Sequence, residues 1–475
     1  MITAPTAVTT AEVTEIDASA RPPLLLLIGS ALAWLVLSGA LALVNLVQLH
    51  TPSFLADCSV LTFGRTQAMQ DSAFIYGWAA NAGLAVALWI LARLGGSPLR
   101  SLNWAMAGAA FWNIALTVGL IGIATGDGTS HAWLHLPRYV LPAMLFAYAA
   151  IAVPGVLAWT GRDREMTYAS QWYAVAALFL FPWLFSIAQT MLVFVPERGV
   201  LQALVAGWYV QGAWTLWLAP LALTAAYYLV PKVGGRVIPN YDFAALSFWT
   251  LLFVGAWTGG RHLIGGPIPA WVATIGGVSC ALLLFHYIVV AVNLRDAFVT
   301  GGSIVLKFVR LGVAAYVFGG FLDAVTAIRG VALVTQFTFF SAAQSQLAIS
   351  GGFSLTIFGA IYFLVPRITG QPWPSAGLIR VHYFCALLGT AGLVAGLAVA
   401  GWIQGHELND PAVTFAVIGA RTKPWLLLAT AAQAVLLLGN VLLLAHLMRA
   451  VASKLLAPVV VVIFRQPPPM GAPAS

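Results

Sequence analysis

Twelve stretches of about 20 or more mostly apolar residues run through this chain, and they leave it few ways to fold. The first six lie roughly at 24–49, 72–94, 103–124, 134–160, 168–195 and 201–230. The other six lie roughly at 242–265, 268–294, 304–328, 338–365, 377–402 and 424–450. A helix of that length matches the hydrocarbon thickness of a bilayer. Lipid offers the backbone no hydrogen-bond partners, so each stretch must be helical. The expected fold class is an all-α integral membrane protein, a twelve-transmembrane-helix bundle. The chain is 61% hydrophobic and only 8% charged, whereas soluble domains carry about 25% charged residues.

The flanks differ from the middle. Residues 1–20 are rich in Thr and Ala and lack the basic start of a signal peptide, so they read as a disordered cytoplasmic tail. Residues 21–455 form the membrane domain. Residues 456–475 end in QPPPMGAPAS and read as a C-terminal tail. The net charge of +8 would suggest a nucleic-acid partner in a soluble protein. Here the cations sit in short connections and act as topology signals, so no nucleic acid is expected. Fifteen of the 22 Lys and Arg fall on the N-terminal side of the membrane. That bias predicts a multi-pass protein of the inner (plasma) membrane with both termini cytoplasmic and the lipid bilayer as its main partner. Cys58, Cys280 and Cys385 lie far apart, with no CxxC or CxxCH, so neither a disulfide framework nor a covalently attached haem is supported.

Polar side chains inside the spans are the functional clues. The stretch from Ala206 to Pro267 holds Gln211 in one span and Arg261 and His262 near the end of the next. A central Arg costs about 2.5–3.5 kcal/mol on insertion scales, so such residues must face other helices or a cavity. Asp323 is the main carboxylate within a span and is expected to cap its helix or pair locally with Arg329. His286, His382 and His446 lie alone in spans and read as hydrogen-bonded packing residues. His50, His131, His135 and His406 fall near span ends or in loops.

Several phrases in this chain resemble subunit I of the haem–copper oxidases, and above all the cbb₃-type cytochrome c oxidases. They are YYLVPK (227–232), FWTLLFVGAWTGGRH (248–262), GGPIPAWVAT (265–274) and FGAIYFLVP (358–366), with GRDREMTYASQWY (161–173) in a matching place. The resemblance extends from about residue 60 to about 370. It implies a twelve-span core with cytoplasmic termini, electron transport in a respiratory chain, and a c-type cytochrome or other respiratory subunits as partners.

The resemblance also implies where six metal-ligating histidines belong. Spacing from the matching phrases puts the low-spin haem positions on Gln70 and Gln346 and the high-spin haem position on Gln344. The three copper positions fall on Gln211, Arg261 and His262, and the family's active-site tyrosine falls on Tyr316. Five of the six ligand positions are therefore not histidine, and four of those five are glutamine. Haem iron takes imidazole, thiolate, thioether or phenolate, and copper favours imidazole among nitrogen ligands. A guanidinium keeps its proton and repels a metal cation. Gln344 and Gln346 stand two residues apart, about 200° around a helix. Gln346 is thus expected to face Gln70, and Gln344 to face Gln211, His262 and Tyr316.

The expected function is a subunit-I-like membrane protein without its usual cofactors, a pseudo-oxidase attached to a respiratory complex. Haem b and copper belong only to the alternative, an active terminal oxidase or nitric oxide reductase subunit with unconventional ligands. A transporter or channel is a further alternative, with Asp323 and Arg261 as its in-span charges.

Overall fold

In the computed structural model, the described residues are 10–163, 166–266, 268–299 and 302–464. Among them, twelve helices are long and apolar enough to cross a membrane. They are α1 (Val13–His50), α2 (Phe63–Gly95), α3 (Leu102–Thr125), α4 (Leu141–Thr160), α5 (Ala169–Phe194) and α6 (Val200–Gly234). The second half comprises α7 (Asp242–Leu263), α8 (Ala270–Asn293), α9 (Ile304–Thr326), α10 (Phe339–Thr369), α11 (Ala376–Leu408) and α12 (Phe415–Ala452).

Nine helices form a closed ring in which α1, α3, α4, α5, α7, α8, α9, α11 and α12 pack in that order, and α12 returns to α1. The other three, α2, α6 and α10, stand inside and pack on one another. Their most apolar stretches are 89–100% buried, against 39–50% for the ring helices. The side chains explain the arrangement. α2, α6 and α10 carry the buried polar residues Gln70, Asn81, Gln211, Thr215, Thr224, Ser354 and Thr356. Helices with polar groups at membrane depth are driven away from lipid.

The three interior helices share a second feature. Each widens from α to π geometry, over Ala73–Ala79, Ala213–Leu218 and Leu347–Leu355. Gln70, Gln211 and Gln346 lie just before these stretches. π-turns are rare and concentrate at functional sites. A shorter π stretch, Thr190–Phe194, ends α5.

Three expectations about the ends need correction. The first helix begins at Thr10, so residues 10–20 are helical and not a tail. Asp17 holds them: its carboxylate accepts from Trp89 Nε1 at 2.9 Å and pairs with Arg93 at 3.5 Å, while Ile16 and Ala20 are buried. The last helix continues to Phe464, so residues 456–464 of the expected tail are helical. Residues 1–9 and 465–475 lie outside the described residues, as do Arg164 and Arg465 of the topology count and Pro267. The fourth apolar run was expected from residue 134, but α4 begins at Leu141. Leu134 and Leu136 are buried in a non-helical connection, which is why they read as part of a span.

Close helix approach rests on glycine at a few points. On α11, a Cβ at Gly405 would stand 1.7 Å from Val334 O, and one at Gly401 would stand 1.9 Å from Phe340 N. The connection from α9 to α10 passes against α11 there. Gly405→Val must displace backbone, and overpacking costs about 1–3 kcal/mol or more. A Cβ at Gly419 on α12 would meet nothing within 4 Å. Thermal unfolding in detergent is expected to show a lowered midpoint for Gly405→Val and an unchanged one for Gly419→Val.

Candidate functional site

α7 does not end as a regular helix. After Gly255 it tightens into a 3₁₀ turn, Thr258–Leu263, which carries Gly259, Gly260, Arg261 and His262. Glycine disfavours the helix interior and lets this turn wedge between neighbours. A Cβ at Gly259 would stand 2.8 Å from Gly207 O on α6, and one at Gly276 on α8 would stand 2.3 Å from Arg261 N. The turn aims Arg261 inward, where it is only 7% exposed.

Arg261 NH2 donates to Asp323 Oδ1 at 2.7 Å, and NH1 donates to Thr326 Oγ1 at 3.2 Å. Gln344 joins from α10: its Nε2 donates to Thr326 Oγ1 at 2.9 Å and to Asp323 Oδ1 at 3.3 Å. Gln336 Nε2 donates to Arg261 O at 3.1 Å. His262 Nε2 lies 3.1 Å from Gln211 Oε1, so the Nε2–H tautomer donates to the carboxamide oxygen. Gln211, Arg261, His262, Asp323 and Gln344 border one cavity of about 70 Å³, together with Trp133, Trp214, Ser341 and Ser345. Asp323 therefore pairs with Arg261, and not with Arg329, the local partner expected from the sequence. Arg329 starts the short helix Arg329–Thr335 and lines a separate pocket beside Gly265 and Gly266.

Gln346 turns to the other side of α10. It borders a second cavity, of about 40 Å³, with Gln70, Ser38, Ser350, Ser354, Thr390, Gln433 and Asn440. Gln70 Oε1 accepts from Asn45 Nδ2 at 3.2 Å, and Gln346 Oε1 accepts from Ser350 Oγ at 2.7 Å. Thr66 Oγ1 donates to Asn45 Oδ1 at 2.5 Å, and Gln433 Nε2 donates to Gly39 O at 3.1 Å. These bonds tie α1 to α2 and to α12, while Gln346 is held within α10.

Tyr316 does not join the Gln211–His262 pair, contrary to expectation. It is buried on the side of α9 that meets α8, where its hydroxyl lies 2.8 Å from His286 Nε2. His286 Nδ1 lies 2.8 Å from Ser247 Oγ and 3.0 Å from Ser247 O, so Ser247 and Tyr316 engage its two ring nitrogens. Phrase spacing fixes the position of Tyr316 along α9 but not the direction it faces. The other lone span histidines are also engaged within the protein. His382 Nδ1 lies 2.9 Å from Tyr362 OH, and His446 Nε2 accepts from Ser375 N at 3.1 Å.

Some members of these networks had no signal in the sequence. Asn45 and Gln336 match no motif and sit in segments read only as span or loop. Thr326 had a faint one, since it stands three residues after Asp323 on the same helical face.

Haem iron and copper need donors with free lone pairs, such as imidazole or sulfur. Four of the ligand positions present carboxamides that are already hydrogen-bonded within the protein, and the fifth presents a cation paired with Asp323. Among the described residues, no group of three His, Cys, Asp or Glu side chains converges as a metal site would need. Cofactor pockets span about 300–1,000 Å³, whereas these cavities measure about 70 and 40 Å³. They are large enough for a few waters at about 10–15 Å³ each. The residues present do not fit either group.

Breaking a buried ion pair strands a charge and costs about 3–5 kcal/mol, while replacing both partners by apolar residues is close to neutral. Arg261→Leu and Asp323→Leu are each expected to destabilise the protein by about that amount. The double variant is expected to recover most of the loss, as read by unfolding in mixed detergent.

Known proteins share this architecture. A profile described as Cytochrome C and Quinol oxidase polypeptide I matches residues 23–435. The cbb3-type cytochrome c oxidase subunit CcoN1 of Stutzerimonas stutzeri is 25% identical over 394 residues, covering 79% of this chain and 83% of its own length. Cytochrome c oxidase subunit 1 of Rhodobacter capsulatus is 24% identical over 397 residues, covering 78% and 73%. A cryo-EM structure of a heme-copper terminal oxidase dimer superposes with a TM-score of 0.69 at 14% identity, over 93% of this chain and 84% of that one. The chain, with its twelve helices and three of them enclosed, belongs to the cytochrome c and quinol oxidase polypeptide I family.

Proposed function

We propose that this chain is a cofactor-poor pseudo-oxidase: a subunit-I protein that keeps the bundle and fills its cofactor positions with hydrogen-bonded side chains. One observation carries the reading. Arg261, at a position the family resemblance gives to a copper ligand, is buried and paired with Asp323 at 2.7 Å. A guanidinium cannot coordinate a metal and repels one electrostatically. Its neighbours Gln211 and Gln344 are uncharged carboxamides, poor metal ligands that are already bonded to the protein.

Gln70 and Gln346 extend the reading to the low-spin haem position. They face a common cavity too small for a porphyrin and ringed by hydroxyls and amides. Retention of a polar group at each substituted position fits a scaffold under maintenance. Such a scaffold has a structural or docking role in a respiratory complex, with c-type cytochrome or other respiratory subunits as partners. Both termini lie in the cytoplasm by the Lys and Arg bias. Tyr316 has no catalytic part in this reading and serves as the partner of His286.

A second reading is an active terminal oxidase subunit with unconventional ligands. The names of the curated relatives, which are cytochrome c oxidase subunits, favour it. Absorption spectroscopy and metal analysis of the purified chain separate the two. The pseudo-oxidase is expected to lack a Soret band and to hold iron and copper far below one per chain. A stoichiometric haem with oxygen uptake from reduced cytochrome c would establish the second reading instead.

A further inference from the structure

The seam between α3 and α4 opens toward lipid as an apolar groove of about 490 Å³. Ala107, Ala143 and Ala147 form its floor, and Trp104, Phe111 and Phe146 stand along its rims, each more than 60% exposed. The helices touch closely beneath it, since a Cβ at Gly108 would stand 2.9 Å from Ala147 O. The groove follows α3 from Trp104 to Val118, about 21 Å at 1.5 Å per residue. That exceeds one leaflet of a hydrocarbon core about 30 Å thick, so the groove has the length of a whole acyl chain.

The two ends of the groove differ in charge. Beyond Trp104, Arg100 reaches the end of α4, with NH1 3.8 Å from where a Cβ on Gly161 would sit. Arg162 stacks over the Trp159 ring at 4.4 Å and donates to Trp159 O at 2.9 Å. Two arginines thus stand at this end of the helix pair, Arg100 four residues before Trp104 and Arg162 just past the end of α4, with Asp163 next in sequence. At the other end Tyr139 OH lies 3.5 Å from the Asp127 carboxylate, and Arg138 is turned onto the Phe194 ring of α5.

We propose that this groove is a site for an anionic phospholipid, with one acyl chain on the alanine floor and the phosphate against Arg100 and Arg162. The inference rests on the membrane-spanning fold and is independent of the cofactor reading.

Native mass spectrometry of the delipidated chain, titrated with phosphatidylglycerol or phosphatidylcholine, tests it. One phosphatidylglycerol per chain is expected to be retained, about tenfold more tightly than phosphatidylcholine, the size that one or two cations at a membrane surface supply. Arg100→Gln is expected to shrink that preference several-fold. Ala107→Phe with Ala143→Phe is expected to abolish retention, while Ala149→Phe, on the exposed face outside the groove, leaves it intact. Equal retention of the two lipids overturns the proposal, as does loss of lipid in Ala149→Phe or its persistence in the filled groove. A photo-crosslinker at position 107 in native membranes is expected to capture lipid, and capture of a protein in its place would overturn the proposal.

Discussion

The pairing of Arg261 with Asp323 is the interaction on which the interior of this protein turns. Two opposite charges inside a bilayer protein are tolerable only if each satisfies the other. The pair forces the end of α7 to face inward and the end of α9 to meet it. Gln344 then donates to the same carboxylate and to Thr326, which brings α10 to the same point. Gln336 closes the turn by donating to Arg261 O. Three helices and a loop thus converge on one ion pair, in the part of the bundle where family resemblance places a metal centre.

The wider frame makes that convergence possible. Three helices stand inside a ring of nine, and each interior helix has a π stretch next to a buried glutamine. A π-turn inserts one extra residue and shifts the side chains that follow around the helix axis. Large aromatics fill the remaining space. Trp78 donates to Ser354 Oγ at 2.9 Å and packs with its ring centroid 5.2 Å from that of Phe358. Trp214 stands between the glutamine cavity and Tyr316, with its ring centroid 6.1 Å from the tyrosine's. Membrane hydrogen bonds average only about 0.6 kcal/mol each, so these networks specify register more than they add stability.

Much of this was legible in the sequence, and the exceptions have physical causes. Apolar runs of bilayer length gave all twelve spans, because lipid imposes helix on each of them. The opposite directions of Gln344 and Gln346 followed from 100° per residue. The helical residues 10–20 were not legible, because the contacts that hold Asp17 come from Trp89 and Arg93, more than 70 positions away. The partner of Asp323 was missed for the same reason: Arg261 is 62 positions away, while Arg329 is near in sequence but turned elsewhere. Tyr316 was misplaced because spacing along a helix does not give rotation about it. His286, its actual partner, is the hydrogen-bonded packing residue that its lone place in a span implies.

The account therefore depends on side chains, and not metal centres, bridging α2, α6, α7, α9 and α10. A cryo-EM map of the protein isolated from its native membrane, at a resolution that separates side chains, tests this most directly. The account predicts continuous density between Arg261 and Asp323, and amide density with no more than water between Gln70 and Gln346. A planar porphyrin seated between Gln70 and Gln346, or a metal peak beside His262, would contradict it.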